Sequence, residues 1–220
     1  PGSDPAVAGL AAYRQPSATA ISINFGARSA GISFWPSRTV SAAGCRRFTI
    51  HARKAWLQGL SPKENRSVPP LDYPLVYRLK QEMPEMEIHI NGGIATLDET
   101  EAHLAQVDGV MLGRAAYQNP YILAEVDARF YDDPRPVPSR HEVLEAFLPY
   151  VERELAAGTH LHAMTRHILG LFQGCPGARA FRRHISENAP RPGAGADVIR
   201  DAMSLVPDGA SSSSRVLARV

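Results

Sequence analysis

Short β-prone apolar runs alternate with helical patterns through the middle of the chain. Phe48-Thr49-Ile50, Ile88-His89-Ile90 and Val110-Met111-Leu112 are each followed within a few residues by glycine, charge or a helix start. Between them Leu75, Val76 and Leu79 recur at helical spacing. Ile94, Leu97 and Leu104 do the same around Thr96-Leu97-Asp98-Glu99, which reads as a capping box. Strands separated by amphipathic helices predict parallel β/α units, and three of them fit between residue 45 and about 130. Upstream, Ile21, Ile23 and Phe25 alternate as a short strand would, between Gly- and Pro-rich flanks.

The texture changes at Asp132-Asp133-Pro134-Arg135-Pro136-Val137-Pro138, where dense proline marks a linker. Beyond it only helical stripes follow. Ser139 with Glu142 forms a second capping box, ahead of Val143, Phe147, Tyr150 and Val151 on a stripe ending near Gly158. Leu161, Met164, Ile168 and Leu171 form another, stopped by Gly174 and Pro176. Phe181 with Ile185, and Val198 with Ala202 and Leu205, form two more. The pattern therefore predicts an α/β portion over residues 41–132, a small helical domain over 133–207, and a disordered tail over 208–220. In residues 1–40, 22 positions are Ala, Ser, Gly or Pro, so that segment has few groups with which to specify a fold and is expected to be poorly ordered.

Bulk composition narrows the class only slightly. The chain has 220 residues, 44% hydrophobic and 21% charged, ordinary for a globular protein with a real core. The net charge of +2 is too small to argue for nucleic acid, but its distribution is uneven. From Cys45 to Arg66 six cations (Arg46, Arg47, Arg53, Lys54, Lys63, Arg66) face a single acid, Glu64. Cys45 and Cys175 are too distant in sequence for a metal knuckle and suggest no disulfide framework, so a reducing, cytoplasmic setting without a metal is expected. No apolar run reaches the roughly 18 residues of a membrane helix, and no secretory pattern opens the chain. The chain begins at Pro1 without an initiator methionine, as a fragment or a doubtful start would.

Candidate chemistry sits where strands end. Asn91-Gly92-Gly93 and Gly113-Arg114 directly follow successive strands, the position at which β/α barrels hold phosphate. Paired glycines let backbone amides approach an anion, and an arginine adds a bidentate pair; a tight turn is the plainer alternative. His51 follows Phe48-Thr49-Ile50 and would share that face. The loop from His51 to Arg66 could be a solvated charged surface. However, Trp56 and Leu57 interrupt its charges, and Ser61-Pro62-Lys63-Glu64 reads as a helix opening, which suits backbone phosphates.

These residues together carry a family resemblance. His51 to Arg66, Pro69-Pro70-Leu71-Asp72-Tyr73, Ile90-Asn91-Gly92-Gly93-Ile94, Val107-Asp108-Gly109-Val110-Met111 with Gly113-Arg114-Ala115-Ala116-Tyr117, and Gly177-Ala178-Arg179 with Phe181-Arg182-Arg183 resemble the bacterial tRNA-dihydrouridine synthase A family, colinearly over about residues 41–207. The resemblance implies an FMN-dependent reductase that takes hydride from NADPH and passes it to the C5–C6 double bond of a D-loop uridine in tRNA. It implies a TIM barrel holding FMN, followed by a helical tRNA-binding domain, in a monomeric cytoplasmic protein. His51, Asn91, Gly92, Gly93, Gly113 and Arg114 resemble flavin contacts, the last five around its phosphate. Lys63, Arg66, Arg179 and Arg182 resemble tRNA contacts.

The departure matters as much. A complete barrel needs eight strands and about 250 residues, whereas the matching part supplies the last three strands, a partial barrel, before the helical domain. The lysine and the proton-donating cysteine of the family's earlier strands have no counterpart. Gly174-Cys175-Pro176 echoes the family's Asn-x-Gly-Cys-Pro but lacks the asparagine and follows a helical stripe, so Cys175 is read as a helix-stop segment. Cys45 is read as a buried structural thiol. No catalytic residue is assigned. The expected function is tRNA uridine reduction by ancestry, in a truncated or frameshifted chain of impaired activity; a non-catalytic tRNA-binding remnant is the alternative. An FMN barrel reductase acting on a small molecule would explain the glycine loops but not Lys63, Arg66, Arg179 and Arg182 together.

Overall fold

The computed structural model describes residues 21–26, 41–56, 59–61, 63–64 and 67–207. The chain divides into two compact units, residues 1–94 with 98–112, and residues 95–97 with 113–220. Each is built around its own core.

The first unit is a parallel sheet. Its strands β1 (Ile21–Gly26), β2 (Arg47–Ala55), β3 (Glu87–Asn91) and β4 (Gly109–Met111) lie side by side in chain order. Helix α1 (Tyr73–Glu82) lies between β2 and β3, and α2 (Leu97–Leu104) between β3 and β4 in sequence. The expected three strands are thus four: the alternation of Ile21, Ile23 and Phe25 does mark a strand, paired in parallel with β2. The rest of the segment 1–40 and the tail 208–220 lie outside the described residues.

Strand β2 also runs further than its apolar run suggests, through Ala55. His51, Arg53 and Lys54 are therefore strand residues, not the start of a loop. The period of two explains this. Phe48, Ile50 and Ala52 are buried at 0%, 0% and 3% exposure, while Arg47, Thr49 and His51 alternate with them on the opposite face. On β3, Ile88 and Ile90 are fully buried, between Glu87, His89 and Asn91. One face of the sheet thus belongs to a core with Val76 and Leu79 of α1, each side chain contributing roughly 1.5–3 kcal/mol on burial. The other face is polar.

Asp108, just before β4, ties these layers together. Its carboxylate accepts the Ile88 N–H at 2.8 Å and the Lys80 ammonium at 2.8 Å, and Lys80 also donates to the Met86 carbonyl at 2.8 Å. Burial opposes ionisation, but these two donors outweigh it and hold the Asp108 carboxyl below its ordinary range. A carboxyl lowered on folding stabilises the protein above its unfolded value, near 4, and that stability is lost as pH falls through the folded value. Asp108→Asn is expected to cost about 1 kcal/mol at neutral pH, discounted for partial exposure, with the gap closing under acid. Urea unfolding of both proteins across a pH series from 7 downward checks this; a gap that did not narrow as the medium became more acid than the unfolded value would contradict it.

The second unit is helical. It contains α3 (Arg114–Gln118), a 3₁₀ turn over Pro120–Glu125, α4 (Val126–Phe130), α5 (Arg140–Ala156), α6 (Leu161–Thr165), α7 (Ala178–Asn188) and α8 (Asp197–Ser204). Its boundary falls at residues 112/113, ahead of the proline segment that suggested a division after 132. Tyr121 explains the difference, because it packs against the helical core and lies 3.9 Å beneath the Arg140 guanidinium.

The capping box at Ser139 is present in both directions, Glu142 N–H to Ser139 Oγ and Ser139 N–H to Glu142 Oε2. The buried line of α5 is Leu144, Leu148 and Val151, rotated from the predicted stripe, with Tyr150 41% exposed. The stripe from Leu161 to Leu171 keeps regular helix only to Thr165. Tighter turns then carry it on, with His167, Ile168 and Leu171 bonding three residues back. On α8 Ile199 replaces Leu205 in the core, since the helix ends at Ser204. Gly177, in the left-handed region at φ +81°, opens α7, and a Cβ there would run into the Leu205 carbonyl.

Candidate cofactor and nucleic-acid site

The polar face of the sheet is built by register. Arg47, Thr49 and His51 stand beside Glu87, His89 and Asn91, respectively, and Asn91 stands beside Met111. The first pair is ionic, Arg47 Nε to Glu87 Oε2 at 2.7 Å, and His89 Nε2 lies 2.9 Å from the same carboxylate. Desolvation of Glu87 is outweighed by these two partners, which hold its carboxyl below the ordinary range.

At the strand ends His51 Nδ1 lies 2.6 Å from Asn91 Oδ1, and Asn91 Nδ2 donates to the Met111 carbonyl at 2.8 Å. The other ring nitrogen, His51 Nε2, is buried and has no hydrogen-bond partner among the described residues. Asn91 thus spans three strands through one amide. Its Oδ1 and one Nδ2 hydrogen are committed to protein, so an anion beside it would be met by the remaining N–H and by backbone.

Gly92 and Gly93 follow at once, both at positive φ (+121° and +76°). A Cβ on Gly92 would lie 3.3 Å from His51 Cε1, and one on Gly93 would lie 2.7 Å from Leu71 Cδ1 and 3.1 Å from the Tyr73 hydroxyl. The turn is held from below, because Tyr73 Oη donates to the Gly92 carbonyl at 2.7 Å. Tyr73 stacks edge-on against His103 at 4.5 Å, and the Tyr77 hydroxyl is 2.6 Å from His103 Nδ1. Burial pushes both phenols up and the imidazole down, so this support is neutral at physiological pH.

The helical unit carries a groove of about 1030 Å³. Arg166, Arg179 and Arg182 line it together with Tyr117, Gln118 and Gln173. Tyr117 is 61% exposed and meets the His167 ring edge-on at 5.8 Å, while Arg166 Nε donates to His167 Nε2 at 3.0 Å. A concave surface with three guanidinium groups, an open aromatic ring and amide side chains can hold phosphates by their oxygens and bases by their faces.

Comparison with known proteins settles the ancestry. The family description "Dihydrouridine synthase (Dus)" matches residues 11–204. The chain belongs to the dihydrouridine synthase family. It is 58% identical over 164 residues to the tRNA-dihydrouridine(20/20a) synthase of Vibrio cholerae, covering 74% of this chain and 50% of the relative. It is 58% identical over 170 residues to the protein of that name from Yersinia pestis (77% and 49%), and 56% identical over 171 residues to that of Escherichia coli K12 (77% and 50%). The chain therefore spans about half the length of the curated relatives it matches. The family match begins at residue 11 and takes in β1, ahead of the motif resemblance that starts near residue 41.

Of the residues assigned from sequence, the fold brings His51, Asn91, Gly92 and Gly93 together on the first unit, and Arg179 and Arg182 together on the second. Gly113 and Arg114 open α3 of the second unit, with the Gly113 carbonyl accepting the Tyr117 N–H. Lys63 is exposed, beside a reciprocal contact in which Ser61 N–H and Oγ both donate to Glu64 Oε2; Arg66 lies outside the described residues. Arg53, part of the basic run, serves the fold instead: it is 9% exposed and donates to the Ser67 and Pro69 carbonyls.

Cys175 is buried in the helical core, and the Cys45 thiol donates to the Arg47 carbonyl at 3.3 Å ahead of β2. Neither sits at a strand end beside His51. Tyr117, Arg166 and the Tyr73 support were not assigned from sequence. Tyr117 and Tyr73 lie inside the family motifs, while Arg166 sits within the stripe from Leu161 to Leu171 with no local signal. Among the described residues no cluster of His, Cys, Asp or Glu could hold a metal ion, and no helix is long and apolar enough to cross a membrane.

Proposed function

We propose that the chain is the C-terminal half of an FMN-dependent tRNA-dihydrouridine synthase, its four parallel strands forming part of a TIM barrel and its helical unit gripping tRNA. The observation that carries this reading is His51. Its Nε2 is a buried polar atom with no hydrogen-bond partner among the described residues, beside the Gly92-Gly93 turn. FMN fits that place: His51 would meet the body of the cofactor, while Gly92 and Gly93 would lie toward its phosphate; Gly113 and Arg114 are carried over as phosphate contacts by their motif alone. When bound and reduced by NADPH, the flavin supplies the hydride for the C5–C6 double bond of a D-loop uridine. His51, on the polar sheet face, would hold and orient the cofactor there.

The arginine groove supports RNA as the substrate over a small molecule. Arg166, Arg179 and Arg182 on one concavity match a phosphate backbone, and Tyr117 offers a stacking face; Lys63 and Arg66 extend the same role. The cytoplasmic, monomeric state belongs to this reading as well. Reduction also needs a proton donor across the uracil ring, and the family's proton-donating cysteine has no counterpart among the motifs matched here. The 220-residue chain by itself is accordingly a tRNA binder with impaired or absent catalysis.

Titration with FMN, followed by flavin fluorescence and visible absorbance, tests the cofactor half of this reading. Saturable binding, weakened about tenfold in His51→Ala, is expected from one lost hydrogen bond. Equal affinity of the two proteins would contradict it.

A further inference from the structure

The amide of Asn91 has one orientation that satisfies both neighbours. Its Nδ2 faces the Met111 carbonyl at 2.8 Å, where an amide oxygen would be repelled, and this turns Oδ1 toward His51 Nδ1 at 2.6 Å. An amide oxygen only accepts, so the ring nitrogen facing it carries the hydrogen. A neutral imidazole has one such hydrogen. The second nitrogen, Nε2, is then a bare acceptor, and it is this atom that is buried without a partner among the described residues. Gly92 packs against the ring on its Cε1 side, where a Cβ would come within 3.3 Å of that atom.

We infer that Asn91 is a positioning residue that fixes His51 as the Nδ1–H tautomer, and that His51 Nε2 is a subsite for a hydrogen-bond donor. The group received there is a neutral hydroxyl or N–H. A phosphate oxygen or a carbonyl would be refused, since two acceptors would face each other in a buried place. On an FMN-like ligand this selects the ribityl hydroxyls or the ring N–H and turns the phosphate away from His51 toward the glycine amides. The identity of that ligand rests on the FMN reading above; the tautomer does not.

The test is nitrogen NMR on the full chain labelled with ¹⁵N-histidine at neutral pH, with His51→Gln used to assign the His51 pair. A protonated Nδ1 and an unprotonated Nε2 are expected; the reverse tautomer would overturn the inference. In Asn91→Leu the two forms should average, and an unchanged spectrum would overturn the role of Asn91. Asn91→Asp, nearly isosteric, covers the case in which leucine unfolds the chain. It keeps an acceptor facing Nδ1, so Nδ1 should stay protonated; a ring carrying its hydrogen on Nε2 alone would count against the inference.

On adding FMN to the unsubstituted chain, the Nε2 resonance should move as it accepts a hydrogen bond. Asn91→Leu should bind FMN about tenfold more weakly. FMN that bound without moving Nε2 would overturn the donor subsite. If FMN failed to bind while the tautomer stood as stated, the cofactor reading would fall and the role of Asn91 would hold.

Discussion

Phe181→Ala is expected to destabilise the helical unit by about 3–5 kcal/mol, the cost of emptying a large aromatic site in a close-packed core. Phe181 is fully buried on α7 and meets the Phe172 ring edge to face at 4.8 Å. Phe172 in turn packs edge-on against His141, whose Nε2 lies 3.1 Å from the Val206 carbonyl. One ring therefore braces α5, α7 and the end of α8. Against a total stability of about 5–15 kcal/mol, such a loss leaves the unit partly unfolded at 37 °C. Because the sheet unit has its own core around Phe48, Ile50, Ile88 and Ile90, its unfolding transition should persist. Urea unfolding followed by circular dichroism, with tRNA binding measured in parallel, checks both points; a loss below about 1 kcal/mol would show that α7 is not braced this way.

Replacing Arg179 and Arg182 together should weaken tRNA binding about tenfold or more at moderate salt and reduce the slope of log affinity against log salt by about two units. Each neutralised phosphate contributes roughly one. Both side chains line the Tyr117 groove, and among the described residues neither carries an ion pair that would mask its charge. Tyr117→Ala should act differently, lowering affinity with the slope unchanged, because stacking releases no counterions. Filter binding across a salt series separates the two contributions. A slope indifferent to the two arginines would place the RNA elsewhere.

Much of this was legible in the residues because the signals were local. The apolar pairs Phe48 with Ile50 and Ile88 with Ile90 announced strands, and Ser139 with Glu142 announced the start of α5, since period-two alternation and a capping box each need only a few neighbouring residues. Asn91, Gly92 and Gly93 were recognisable as strand-end residues for the same reason, whereas His51 lies inside β2. What sequence could not show was which amide orients His51, because that depends on register between strands forty residues apart.

The basic run also misled in part. Arg53 shares the alternation of His51 on the polar face, yet it is buried, and its guanidinium holds the chain at Ser67 and Pro69. The groove around Tyr117 was illegible because it gathers residues from α3, the turns after α6, and α7. Tyr121 moved the unit boundary upstream for a similar reason, since its cation–π contact with Arg140 joins segments on either side of the proline linker.

The separation of binding from reduction is the central claim, and one assay addresses it. The 220-residue chain is incubated with unmodified tRNA, FMN and NADPH, and the RNA is digested and analysed by mass spectrometry for dihydrouridine, with binding confirmed in the same mixture. The account predicts tRNA held by the protein and no dihydrouridine formed. Dihydrouridine accumulating with time and enzyme concentration would contradict it.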